Sequence, residues 1–280
     1  MTDWIEITAH FERTPEDWSV FADAFDRFNC PGSIQSDRPP TIGAYLVATD
    51  GAREQAASLA AELRRLGASD VTQRVVPDDD WTETWKQFFK PRRVGRRFVV
   101  RPSWESCEPS EGDLEIELDP GQAFGTGDHP TTRLSLELME GAEIAGREVA
   151  DIGCGSGILA IGACLLGAKS VVAVDYDAVS VEVAEANAQR NGVSFRCMQG
   201  DGFEPVGDAR FDVVLTNIIS AVLIRLAPHA ANHVRSGGLW VVSGVIRQNW
   251  PDVFAAAERV GFEVAERREE DEWVGAILRR

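Results

Sequence analysis

Lysine is nearly absent from this sequence, so almost all of its positive charge comes from arginine. The chain carries 28 lysine and arginine residues against 45 aspartate and glutamate residues, a formal net charge of -17. The lysines are Lys86, Lys90 and Lys169. A surface this acidic repels the phosphate backbone of nucleic acids and attracts basic proteins. We therefore expect no direct nucleic-acid binding.

Cysteine pairs at metal-binding or redox spacing are also missing. The five cysteines are odd in number and none of them forms a C-x-x-C pair, which is typical of a reducing compartment. No run approaches the ~20 apolar residues of a membrane-spanning helix. The first residues lack the basic and apolar segments of a signal peptide. These absences predict a cytoplasmic protein with no membrane partner and no bound metal.

The apolar content of the chain indicates a folded protein. Of 280 residues, 44 % are hydrophobic and 26 % are charged, which excludes a disordered, collagen-like or coiled-coil chain. At about 150 residues per domain, this length allows one large domain or two smaller ones.

The N-terminal segment interleaves short strand and helix patterns. The predicted strands are 4–10, 42–49 and 71–76, and the predicted helices are 18–28 and 53–66. Thr14 is predicted to cap the first helix, and the segment 31–40, rich in proline, glycine and serine, is predicted to be a loop. Strands and helices interleaved on this scale predict a small α+β domain over residues 1–77.

A change of composition follows this segment. Pro77 and three consecutive aspartates mark a boundary, and the aromatic segment 81–89 after them is predicted to be a short helix. We place it in a linker over residues 78–92, which leaves residues 93–280 for a second domain.

The second domain alternates buried strands with helices. The predicted strands are 149–153, 171–175, 195–201, 211–217 and 239–244, and the predicted helices are 157–166, 180–191, 222–234 and 250–260. Continuous apolar strands separated by helices predict a parallel sheet covered on both faces, an α/β doubly wound fold. The chain ends in a hairpin of strands 262–268 and 273–278, which would add an antiparallel strand to that sheet.

The clearest motif is D-I-G-C-G-S-G, which begins at Asp151 and lies between a predicted strand and the next helix. Glycines at such a turn let the backbone approach a ligand that side chains would exclude. The dinucleotide fingerprint G-x-G-x-x-G requires a third glycine where this chain has Ile158. The pattern instead resembles the first motif of S-adenosylmethionine-dependent methyltransferases, in which Gly153 and Gly155 would contact the cofactor.

Carboxylates follow at the ends of the next two predicted strands. Asp175 ends the second strand, where nucleotide-binding sheets carry an acid that accepts hydrogen bonds from both ribose hydroxyls. Asp177 is better placed to cap the helix that follows. Asp201 ends the third strand, where methyltransferases of this fold hold the adenine. Because parallel strands share one C-terminal edge, these residues are expected to face one ligand.

The fourth strand ends in T-N-I-I, which contains Asn217. An asparagine here would lie beside the transferred methyl group, with its carbonyl available to an amine. Enzymes that methylate planar amides or bases typically carry N-P-P-Y at this point, and this chain has no proline there. The segment favours an aliphatic amine as acceptor, with Asn217 as the candidate catalytic residue and Trp104 or Trp250 as candidate walls of the acceptor channel.

An upstream segment resembles one family. It reads L-D-P-G-Q-A-F-G-T-G-D-H-P-T-T from Leu118 to Thr132. Together with the N-I-I strand end, the linker W-T-E-T-W-K-Q-F-F-K-P and the later R-P-S-W, it resembles the PrmA family, which methylates large-subunit ribosomal protein eleven.

The resemblance implies a fold, an activity and a site. It implies a class I methyltransferase-type sheet and a small N-terminal domain that holds the substrate protein. The cofactor would be S-adenosylmethionine, contacted by Thr132, Gly153, Asp175 and Asn217, and the loop with Phe124 would close over it. The reaction would methylate lysine side chains or the N-terminal amine of a ribosomal protein, and we expect a monomer. A different protein or a small amine as acceptor, or a non-catalytic cofactor-binding module, stays open.

Three further candidates have simpler explanations. His129 is either a general base or, with glycine, aspartate and proline around it, a residue that fixes its own loop. His229 and His233 stand four residues apart on a predicted helix, but no third zinc ligand is evident. Cys154 has no paired base, so we expect it to fill space beside the glycines rather than act as a nucleophile.

Overall fold

The computed structural model divides the chain into two compact units, Met1–Phe89 and Lys90–Arg280. The residues it describes are 4–15, 18–28, 30, 33–37, 39–48, 51–76, 90–119, 127 and 129–280. The boundary between the units falls inside the segment 78–92. The helix predicted over 81–89 lies outside the described residues.

The N-terminal unit is an antiparallel sheet with helices against one face. Its elements are β1 (Trp4–His10), α1 (Ser19–Arg27), β2 (Ile34–Asp37), β3 (Pro40–Val47), α2 (Ala52–Arg65) and β4 (Asp70–Val76). The strand order is β2-β3-β1-β4. Alternate residues of β1, Ile5, Ile7 and Ala9, are buried with apolar residues of both helices, as the two-residue repeat of a strand requires.

Two local predictions in this unit are wrong. The first helix begins at Ser19, so Thr14 is too far upstream to cap it. The segment 31–40 is not a single loop, because Ile34–Asp37 forms β2 and pairs with β3, whose first residue is Pro40. Proline is tolerated at the first position of a strand, so the composition of this segment concealed a short edge strand.

The C-terminal unit contains a small sheet and a large one. The small sheet has the order β5-β6-β7, from β5 (Arg92–Val94), β6 (Phe98–Arg101) and β7 (Leu114–Glu117). The remaining elements are α3 (Pro130–Gly141), β8 (Glu148–Ile152), α4 (Ile158–Leu165), β9 (Ser170–Asp175), α5 (Ala178–Arg190), β10 (Arg196–Gln199), β11 (Phe211–Asn217), α6 (Ser220–His233), β12 (Val234–Ile246), α7 (Trp250–Glu258), β13 (Glu263–Glu270) and β14 (Trp273–Arg279). The sequence patterns had predicted neither the small sheet nor α3.

The large sheet has the order β10-β9-β8-β11-β12-β14-β13. Strands β8 to β12 pair in parallel, whereas β14 runs antiparallel to β12 and to β13. The chain moves outward from β8 to β10 and then returns to the other side of β8 with β11, so the strand order reverses there. This topology confirms the predicted doubly wound sheet with its C-terminal antiparallel strand.

Both faces of the large sheet are buried. Val149, Val213 and Val241 pack with α3, α4 and α5 on one face. Their chain neighbours, which include Val214 and Trp240, pack with α6 and α7 on the other. A strand buried on both faces must be apolar throughout, which explains the continuous runs in the sequence. Within the described ranges, no helix has the length and apolar composition needed to cross a membrane.

Candidate functional site

A cleft of about 710 Å³ opens at the C-terminal ends of the parallel strands. Its walls come from the ends of β8, β9 and β11, the turn after β10 and the start of α6. The strand order reverses here, and open α/β sheets bind ligands at such a point. The predicted site residues that line the cleft are Gly153, Gly155, Asp175, Asp201 and Asn217. Phe124 lies outside the described residues.

The glycine turn brings bare backbone to one wall of the cleft. Gly153, Gly155 and Gly157 have φ of 79°, 51° and 78°, a left-handed conformation that favours glycine. A Cβ on Gly153 would lie 2.7 Å from Cγ2 of Ile218, so a larger residue there would displace the Ile218 side chain. The N–H of Gly153 donates to the carbonyl of Val174 (2.8 Å), which ties the turn to β9.

The acid that begins the glycine motif is buried beneath the turn and does not line the cleft. Asp151 Oδ2 accepts a hydrogen bond from the N–H of Ala160 (3.0 Å), and no described residue donates to Oδ1. Burial, with a smaller contribution from the charge of Asp175, raises the pKa of Asp151 to about 7. This carboxyl group holds the start of α4 in place rather than contacting a ligand.

Asp175 links the glycine turn to the end of β9. Its Oδ2 accepts from the N–H of Gly155 (2.8 Å), and its Oδ1 accepts from the N–H of Asp177 (3.0 Å). The carboxylate therefore holds one cleft-lining turn while it lines the cleft itself. Asp177 caps α5 by accepting from the N–H of Val179 (3.1 Å), which confirms its predicted role.

Asp201 lines the cleft together with a partner that the sequence did not reveal. Arg225, on α6, donates from both terminal nitrogens to the two carboxylate oxygens of Asp201, at 2.7 and 2.9 Å. This guanidinium holds the pKa of Asp201 below its usual range. Arg225 could not be identified from spacing, because its helix is separated from Asp201 by a whole strand of the sheet.

Asn217 lies at the end of β11, and a buried residue contacts its side-chain amide. Its Nδ2 donates to Oγ1 of Thr132, at 3.4 Å. Thr132 is fully buried, and it is the adjacent Thr131 that lines the cleft. With the amide nitrogen of Asn217 in contact with Thr132, its carbonyl oxygen is the side-chain atom that can accept a hydrogen bond.

His129 and Trp273 form the wall next to Asn217. His129 is the N-cap of α3, where Nδ1 accepts from the N–H of Thr131 (3.3 Å). Its ring packs edge-on against Trp273, with ring centroids 4.9 Å apart. Burial and the positive charge of Arg133 lower the pKa of His129, against the opposing charges of Glu272 and Glu270. The contact with Thr131 agrees with the interpretation of His129 as a residue that fixes its own loop, and the wall is partly aromatic.

Cys154 is buried beside the glycines, as predicted, whereas the tryptophans predicted to wall the acceptor channel are not among the cleft residues. Burial raises the pKa of the Cys154 thiol far above its usual range, which leaves it unreactive. His233 contacts the carbonyls of His229 (2.7 Å) and Gly207 (2.9 Å), and no described cluster of three His, Cys, Asp or Glu residues could hold a metal. Trp250 packs in the core, and neither it nor Trp104 is among the residues that line the cleft.

Two exposed apolar residues in the cleft were also missed. Tyr176 is 78 % exposed and Ile219 is 66 % exposed, and both line the cleft. Large apolar residues at such exposure are unusual outside binding surfaces when they cluster. The sequence could have indicated both residues, because Tyr176 directly follows Asp175 and Ile219 is close to Asn217. Residues next to the polar groups at strand ends lie at the same edge of the sheet.

Comparisons with known proteins agree with this geometry. A family model described as ribosomal protein L11 methyltransferase (PrmA) matches residues 7–280. A protein of that name from Pelotomaculum thermopropionicum is 43 % identical over 270 residues, which cover 95 % of this chain and 84 % of the relative. Another, from Chloroflexus aurantiacus, is 35 % identical and covers 100 % and 98 %. A crystal structure of ribosomal protein L11 methylase from Lactobacillus delbrueckii subsp. bulgaricus superposes with a TM-score of 0.65 at 33 % identity, covering 69 % and 99 %. The chain therefore belongs to the PrmA family of ribosomal protein L11 methyltransferases.

Proposed function

We propose that this chain transfers methyl groups from S-adenosylmethionine to amines of the large-subunit ribosomal protein L11. The relatives are named for this activity. The observation that carries the proposal is the alignment of a bare glycine turn, the carboxylate of Asp175 and the amide of Asn217 along one edge of the sheet.

The residues of the cleft fit the proposed donor. A carboxylate has about four lone-pair sites, and Asp175 uses two of them on backbone N–H groups, so it can also accept from ribose hydroxyls. Gly153 and Gly155 admit the amino-acid portion close to the backbone, and Asp201 lies where the base would be held. When bound, S-adenosylmethionine supplies an electrophilic methyl group.

The wall around Asn217 suits an amine in its neutral form. An amine is a nucleophile only when it is deprotonated, and a free lysine titrates near ~10.4. Burial lowers the pKa of His129, and Trp273 packs against its ring, so we expect this wall to disfavour an ammonium ion and to lower the pKa of an entering amine. The carbonyl oxygen of Asn217 can accept one N–H of that amine and so orient its lone pair. No strong base is needed.

Thr132 and Phe124, both predicted to contact the cofactor, would act in different ways. Thr132 acts through Asn217, because its side chain is buried behind the cleft. Phe124, which lies outside the described residues, would cover the donor, as the family resemblance implies.

The N-terminal unit would hold the substrate protein. We assign substrate recognition to residues 1–77, connection to 78–92 and catalysis to 93–280. An acidic chain attracts a basic ribosomal protein and repels RNA. We further propose that the enzyme works as a monomer in the cytoplasm and without direct contact to nucleic acid.

The test is transfer of a labelled methyl group. The full chain is incubated with methyl-labelled S-adenosylmethionine and purified L11, and the modified amines are located by mass spectrometry. We expect label on lysine or N-terminal amines of L11. Asn217→Ala should lower kcat by about 100-fold, the scale for loss of a positioned catalytic group. The matched control Asn249→Ala, outside the cleft, should keep it.

Each other result selects another function. Label on a different protein or on a small amine, with L11 unlabelled, would identify that molecule as the methyl acceptor in place of L11. Binding of S-adenosylhomocysteine without transfer to any amine would indicate a non-catalytic module that regulates a partner. Absence of binding would contradict the proposal as a whole.

A further inference from the structure

The pair formed by Asp201 and Arg225 has a geometry that goes beyond a surface ion pair. Both terminal nitrogens of Arg225 bond to the two oxygens of Asp201, so the two planar groups are held side by side. Both side chains line the cleft, and each remains partly exposed, at 55 % for Arg225 and 42 % for Asp201. The pair also borders a second cavity of about 270 Å³.

The pair formed by Asp201 and Arg225 lies next to Asp175 along the edge of the sheet, and this position indicates which part of the ligand the pair would contact. Strand β10 pairs with β9, with Gln199 opposite Asp175, and the N–H of Gly200 donates to the carbonyl of Asp175 (2.9 Å). Asp201 is therefore the next side chain along the edge from the residue proposed to hold the ribose. A base attached to that ribose and directed toward β10 meets Asp201 and Arg225 together.

The chemistry of the pair matches one edge of adenine. Adenine offers an amine donor at N6 beside an acceptor at N1. The pair offers a carboxylate acceptor beside a guanidinium, whose five N–H groups are only partly used on Asp201. Hypoxanthine has the reverse order, with an acceptor at O6 and a donor at N1, so the same pair would repel it. A site that hydrogen-bonds one arrangement of donor and acceptor binds the reversed arrangement less tightly.

We propose that Arg225 is a specificity-determining residue, which together with Asp201 selects a donor with an adenine base over one with hypoxanthine. This inference rests on the proposed function. In it, Asp201 accepts from the N6 amine and Arg225 donates to N1, while Arg225 also keeps the carboxylate ionised and in plane.

Calorimetry of the full chain with two ligands tests this proposal. The ligands are S-adenosylhomocysteine and its deaminated analogue S-inosylhomocysteine. We expect the wild type to bind the adenine ligand at least about 10-fold more tightly, the scale of one charge-assisted hydrogen bond. Arg225→Met and, independently, Asp201→Asn should reduce this preference to about threefold or less. Arg259→Met, an exposed arginine on the surface after α7, should leave it unchanged.

The possible results distinguish failure of this inference from failure of the proposed function. If the wild type binds both ligands equally, or if Arg225→Met keeps the full preference and only lowers the unfolding temperature, the pair is a structural bridge and the inference is overturned. If the wild type binds neither ligand, the proposed function fails as well. Loss of preference in both variants, with unchanged preference in Arg259→Met, supports the inference.

Discussion

At the scale of single residues, the burial of Asp151 makes the stability of the enzyme depend on pH. Burial raises its pKa to about 7 from an ordinary value of 3.8. Between these pH values the folded state holds a proton on Asp151 that the unfolded state releases. The contribution of Asp151 to stability is therefore fully present below about pH 4 and is lost as the pH rises to about 7. A shift of this size corresponds to on the order of 4 kcal/mol. Asp151→Asn cannot titrate, so its advantage over the wild type should grow across this range and then stay constant.

Urea unfolding of both proteins between pH 5 and pH 8 measures that difference. Asp208→Asn provides the control, because it removes the same charge from an exposed position and should differ from the wild type by a constant amount. A constant difference for Asp151→Asn as well would show that this carboxyl group is ionised throughout.

A second prediction at this scale concerns the hydrogen bond behind Asn217. Thr132→Val keeps the buried volume and removes the oxygen that accepts from Asn217. We expect kcat to fall by about 10-fold, because one lost hydrogen bond releases the amide from its orientation. Thr216→Val is the matched control, since its hydroxyl accepts from Trp240 (3.0 Å) and its loss should lower stability without the same loss of kcat. Equal kcat values in the two variants would show that Thr132 does not orient Asn217.

At the scale of elements, the ends of β11 and β12 approach each other closely at Gly244. A Cβ there would lie 2.4 Å from the carbonyl oxygen of Ile218, which is backbone and cannot rotate away. Gly112 has a similar left-handed φ but no atom within 4 Å of such a Cβ. Gly112→Ala should therefore cost about 1 kcal/mol from strain alone, and Gly244→Ala about 3 kcal/mol or more.

Unfolding of both variants in urea compares the two costs within the same unit. Gly244→Ala should also lower activity, since the displaced Ile218 adjoins Asn217. Similar unfolding free energies for the two variants would mean that β11 and β12 separate readily at this point.

The elements also show how far a sequence can be interpreted. The buried strands of the large sheet were predictable because both of their faces are apolar. Short strands such as Ile34–Asp37 and Arg92–Val94 were not, because three or four residues contain too few repeats to show a period. The residues of the cleft likewise include some that were predictable from the sequence and some that were not. Asp175 and Asn217 stand at strand ends and were predictable, whereas Arg225 contacts Asp201 from a helix, through packing that no spacing encodes.

At the scale of the whole molecule, the two units differ in what their sequences reveal. The C-terminal unit carries motifs because its backbone must approach a small ligand of fixed shape. The N-terminal unit has a core of its own, built from both helices and one face of its sheet, and carries no comparable motif. Recognition of a protein surface is spread over many side chains and needs no short motif, so the substrate role proposed for this unit rests on the family alone.

The net charge of -17 leads to a prediction for the complete enzyme. A strongly acidic protein should capture a basic ribosomal protein by long-range attraction, which salt screens over a Debye length of about 10 Å at ~0.1 M. Raising the salt concentration from about 50 to about 300 mM should lower kcat/KM for L11 by roughly tenfold, with kcat nearly constant, because the effect is on association. Calorimetric binding of S-adenosylhomocysteine over the same range is the control and should change little. A kcat/KM that is insensitive to salt would mean that the acidic surface does not guide this substrate, and recognition would then depend on short-range contacts alone.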